Sequence, residues 1–157
     1  MRNLFLITLL FICCHGYAYP EPINMNKVRS LFKEAATDEK ACKAMLAILE
    51  KVDENKPLLL GYKASATMMM ANYVGSPFSK LSYFKKGKQM LELAVGKDKR
   101  DVELRLLRYL VQKSAPSFLG YHSHLEEDKA FISNNIAGIK DLDKKNFVIK
   151  TLNDSKK

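Results

Sequence analysis

Arg105, Arg108 and Gln112 stand at i, i+3 and i+7 of an otherwise apolar run, VELRLLRYLVQKS. Helical spacing stacks them into one polar stripe between two apolar flanks. Two guanidinium groups one turn apart can hold a carboxylate or a phosphate through paired hydrogen bonds. Tyr109 and Tyr121 offer hydroxyl donors, and Lys85 and Lys88 offer charge that would steer an acidic ligand toward the stripe. The stripe also has a structural reading. Asp101 precedes Arg105 by four residues, and Glu126, Glu127 or Asp128 reaches the arginines if the next helix folds back. Buried arginine demands an acid, and acids are close in sequence, so the structural reading is the one favoured. As a site, the expectation is Arg105, Arg108, Gln112 and Tyr121, assisted by Lys85 and Lys88.

Other reactive residue types form no working set. His122 and His124 with Glu127 and Asp128 are of metal-ligand type, but their spacing is not that of a zinc-binding helix. There is no nucleophile elbow, no Cys–His signature and no phosphate loop, so neither catalysis nor a cofactor is expected. Cys42 shares a helical face with Ala41, Met45 and Leu49 and reads as a small core residue.

Charge is concentrated. Residues 78–113 hold ten Lys/Arg against four Asp/Glu, a net of +6 within a chain of net +9. Such a field favours acidic partners, anionic polymers or an anionic membrane surface. The N-terminus argues against nucleic acid. Arg2, the apolar run Leu4–Cys14 and small residues at Gly16 and Ala18 make a secretory signal peptide over residues 1–18. Eleven apolar residues are too few to span a bilayer. Lipid attachment at Cys13 or Cys14 is the alternative processing. The mature chain, 19–157, is expected as one exported domain, periplasmic or extracellular.

The elements that position the stripe are all helical. An extended leader (19–24) precedes a first helix capped at Asn24 or Asn26, with Val28, Leu31, Phe32 and Ala35 on one face. Asp38 opens a second helix reaching Val52, with Ala41, Met45, Ile48 and Val52 as its stripe. Pro57 starts a third, apolar nearly all round and running to Val74, hence central. Its Met68–Met70 run reads as core filling rather than as an adaptable ligand surface. Gly75-Ser76-Pro77 breaks the chain before a fourth helix. A fifth runs from Val102 to Ser114. The loop after Pro116 holds Phe118 and Tyr121, both expected to be buried. Ser123 and Glu126 form a capping box for a sixth helix through Ala137, contacting the core with Ala130, Phe131 and Ile136. A last helix covers 143–152, and residues 153–157 fray. Short connections imply antiparallel neighbours, and six to seven helices give an all-α fold.

Gly87, Leu91 and Ala94 repeat the small–large–small spacing of the second helix of a tetratricopeptide hairpin, and Leu60-Gly61 loosely matches the first. Here the chain resembles tetratricopeptide proteins over about one repeat. Over residues 60–135, the run LSYFKKGKQMLELAVGKDKRDVELRLLRYLVQKSAPSFLGY is similar to small uncharacterised exported helical proteins of Bacteroidetes-type bacteria. The resemblance implies stacked antiparallel helical hairpins and no catalytic residues. The expected function is therefore binding of a protein or peptide partner in the cell envelope, since stacked hairpins present concave surfaces. Binding of an anionic polymer or membrane by the basic face is the alternative.

Overall fold

The computed structural model describes residues 22–155. The expected signal peptide, the cysteines that would carry lipid and the start of the leader lie outside the described residues. Among those described, seven α-helices and three short 3-10 turns make up the regular structure, with no strand: α1 (Met25–Glu34), α2 (Glu39–Ile48), α3 (Pro57–Met69), α4 (Pro77–Lys97), α5 (Val102–Ser114), α6 (Leu125–Asn135) and α7 (Leu142–Asp154).

Local chemistry sets most of the starts. Asn24 Oδ1 accepts from the Lys27 N–H, and Asp38 Oδ1 accepts from the N–H groups of Lys40 and Ala41. Asp101 and Asp141 cap α5 and α7 in the same way. These side chains satisfy donors that a helix leaves free in its first turn. Pro57 and Pro77 occupy first-turn positions, where a missing N–H costs nothing.

Several ends differ from expectation. The second helix stops at Ile48 rather than Val52; Leu49, on the Cys42 face, is buried, whereas Ile48 of the expected stripe is exposed. The third helix gives way at Met70 to a 3-10 turn ending at Asn72. The sixth buries Ile132, leaves Ala130 exposed and ends at Asn135. The seventh holds through Asp154, because Phe147, Val148 and Leu152 anchor it in the core. No capping box forms at Ser123. His124, not Ser123, is the residue before the helix, and its backbone N–H donates to Gln112 Oε1 at 3.0 Å.

Successive helices pair as hairpins, α1 with α2, α3 with α4 and α5 with α6, while α7 closes against α5. Helices α3 and α5 are central: Leu60–Tyr62, Ala64–Met68 and the whole stretch Val102–Tyr109 are buried. Helices α3 and α4 approach closely. A Cβ on Gly87 would lie 2.4 Å from Met68 Cγ and 2.6 Å from the Ala64 carbonyl oxygen, so only glycine fits. Phe32, Tyr62 and Phe147 pack edge-on or tilted at 5.5–6.4 Å and tie α1, α3 and α7 together. Cys42 is buried as expected. Its thiol donates to the Ala66 carbonyl at 3.4 Å, and burial pushes its pKa up to about 11.

Candidate functional site

The fold brings the expected stripe together and closes it. Arg108 grips Asp128 with two hydrogen bonds, Nε to Oδ2 at 2.7 Å and Nη2 to Oδ1 at 2.8 Å, and reaches Glu92 through Nη1 at 3.0 Å. Arg105 donates to Glu127 at 2.5 Å, and its Nε lies 2.6 Å from Asp128 Oδ1. That last contact is an ion pair without hydrogen-bond alignment. The Arg105 guanidinium also lies over the Phe131 ring, 4.8 Å from its centroid. Tyr121 donates its hydroxyl to Glu92. Gln112 accepts from the His124 N–H, and its carbonyl oxygen lies 3.0 Å from His122 Nδ1. Lys88 sits over the Tyr121 ring at 4.8 Å, whereas Lys85 projects into solvent.

Four of the six expected residues, Arg105, Arg108, Gln112 and Tyr121, are thus buried against α4 and α6. Three carboxylates face the two guanidinium groups. Asp128 and Glu127 come from the returning α6, as the structural reading required, and Glu92 comes from α4. Asp101 and Glu126 take no part: Asp101 caps α5 and pairs with Lys144 at 2.7 Å, and Glu126 is exposed. The electrostatics agree with saturation. Burial alone would lower the Arg108 pKa, but Asp128 and then Glu92 outweigh it and raise it. Hydrogen bonds from His124 and then Arg105 hold Glu127 down at about 2. His124 and Glu127 are therefore engaged with each other and with Arg105. Among the described residues no three potential ligands converge as a metal group.

A second buried ion pair escaped the sequence reading. Arg29 of α1 donates to both oxygens of Glu103 of α5, at 2.8 and 2.9 Å, and Tyr62 of α3 donates to the same carboxylate at 2.5 Å. Glu103 is fully buried. The hydrogen bond to Glu103 raises the Arg29 pKa, and burial followed by the Glu103 charge raises that of Tyr62. The signal was present in the pattern: Arg29 sits between Val28 and Leu31 on the apolar face of α1. Both networks hold helices together, and neither exposes a free acid, base or nucleophile.

The surface also holds an apolar groove. At one end of the bundle, α1, α3, α5 and α7 finish and α4 begins, enclosing a groove of about 980 Å³. Its walls include Phe32, Met68, Met69, Phe84, Leu110 and Val111, and its rim carries Lys33, Lys80, Phe118 and Asp154. The groove exists because α3 stops at Met69 and α5 stops before Pro116. The loop after Pro116 turns through Gly120 (φ 60°), where glycine adopts the left-handed conformation without strain. Phe118, expected to be buried, projects from this loop into solvent, while Tyr121 is buried. Ser65 in the groove wall donates its hydroxyl to the Gly61 carbonyl at 2.9 Å, whereas the buried Thr151 hydroxyl, also in the lining, has no hydrogen-bond partner.

In comparison with known proteins, the chain matches no family model, no curated protein and no solved structure.

Proposed function

We propose that this chain is a binding module of tetratricopeptide-like plan, exported and without catalysis. In this reading its end groove receives the apolar face of an amphipathic helix from a protein or peptide partner. The observation that carries the reading is the groove itself: about 980 Å³ of largely apolar space, at the upper end of the roughly 300–1,000 Å³ usual for ligand sites. Met68 and Met69 suit it to such a ligand, because unbranched, polarizable side chains adapt to different apolar faces. A helical ligand satisfies its own backbone hydrogen bonds. No strand edge is present among the described residues to pair with the backbone of an extended one. The arginine stripe recedes as the contact surface because its donors already face acids.

Leu81 and Phe118 line the groove yet are exposed, so changing them leaves the core intact. Leu81→Glu and Phe118→Glu are each expected to weaken binding of a labelled Leu- and Met-bearing amphipathic peptide by about tenfold. Melting should stay within about 2 °C of wild type, as for other surface changes. Fluorescence anisotropy and thermal denaturation measure both. Undiminished affinity in both variants removes the groove as the site.

A further inference from the structure

The outer face of α4 is a surface that the groove does not use. Between Pro77 and Leu91 it carries Lys80, Lys85, Lys86 and Lys88 and no carboxylate; the first acid is Glu92. The helix buries Phe84, Gly87, Leu91, Ala94 and Val95 inward. Phe78, 87% exposed, is left on the opposite face, with Lys85 seven residues later on the same line and Lys86 beside it. Lys85 and Lys86 have no acid partner among the described residues. Lys88, by contrast, lies over Tyr121, and Lys80 belongs to the groove rim. A second aromatic, Phe118, is 84% exposed at the end of the molecule where α4 begins.

We infer that this face docks on an anionic lipid bilayer, with Phe78 entering the boundary between headgroups and acyl chains and Lys85 and Lys86 meeting the anionic headgroups. A soluble polyanion would engage the lysines and leave Phe78 in water. A bilayer takes up both, as it does for interfacial helices that carry aromatic and cationic side chains. The inference stands apart from the peptide reading, since Phe78, Lys85 and Lys86 do not line the groove.

The test is co-sedimentation of the mature chain with vesicles of phosphatidylcholine alone and of phosphatidylcholine mixed with phosphatidylglycerol. Binding is expected only to the anionic vesicles and should fall steeply with added salt, because exposed charges are screened within about 8–10 Å. Phe78→Ser should weaken it by about tenfold through loss of buried ring area. The double change K85Q/K86Q should weaken it by more than tenfold. All three positions are exposed, so melting serves as the control for folding, and peptide affinity at the groove should not change. Absence of wild-type binding to the anionic vesicles overturns the inference. So does loss in K85Q/K86Q with F78S unaffected, which marks a surface for soluble polyanions. Loss of peptide binding alone touches only the groove reading.

Discussion

Asp128→Ala lowers unfolding stability by about 3–5 kcal/mol, the loss expected when one partner of a buried ion pair is removed. For a domain of this size that is a fall of roughly 6–20 °C in melting temperature. Asp128 is fully buried and faces both Arg105 and Arg108. Its removal leaves two guanidinium groups with only the half-exposed Glu127 and the partly exposed Glu92. Arg108→Ala should have a comparable effect, since it strips Asp128 of a bidentate partner. If Arg105 and Arg108 served a ligand instead, Arg108→Ala would leave melting unchanged or raise it while abolishing ligand binding. A change of only a degree or two in both variants defeats the structural assignment of the stripe.

Glu103→Ala is expected to cost a similar amount, again about 3–5 kcal/mol, because Arg29 and the Tyr62 hydroxyl lose their shared acceptor inside the core. The contribution is asymmetric. An apolar replacement of the whole cluster, Arg29→Met with Tyr62→Phe and Glu103→Leu, removes the buried charges together and should recover most of the loss. Denaturant unfolding of the single and triple variants measures the difference. A Glu103→Ala loss below about 1 kcal/mol, or a triple variant worse than the single one, contradicts this account of how α1, α3 and α5 are joined.

The two networks differ in how far the sequence exposed them. Arg108 and Asp128 are 20 residues apart on consecutive helices, so one hairpin suffices to bring them together. Arg29 and Glu103 are 74 residues apart, and their meeting depends on α1 packing beside α5 across Tyr62. Nothing local announces that, except a charge on a face otherwise apolar. Helix starts were legible wherever a side chain or a proline acts alone, at Asn24, Asp38, Pro57 and Pro77. The start of α6 was misread because a tertiary contact marks it: Gln112, one helix earlier, accepts from the N–H of His124, which takes the cap position one residue after Ser123. Leu49, placed on the Cys42 face, is buried and Ile48, placed in the stripe, is exposed, because two adjacent apolar residues at the end of a short helix fit neighbouring faces almost equally well. The groove was the least legible feature. It is space left where α3 and α5 stop, and Met68 and Met69 read as core because half of their surroundings are core.

The central claim is that ligand enters the groove and leaves the arginine stripe untouched. Two-dimensional NMR of chain labelled at methionine methyls and arginine Nε, titrated with the amphipathic peptide, tests this in one sample. The account predicts saturable shifts of the Met68 and Met69 methyls with the Arg105 and Arg108 Nε–H signals nearly stationary. Shifts confined to Arg105 and Arg108, with both methionine methyls silent, would contradict it.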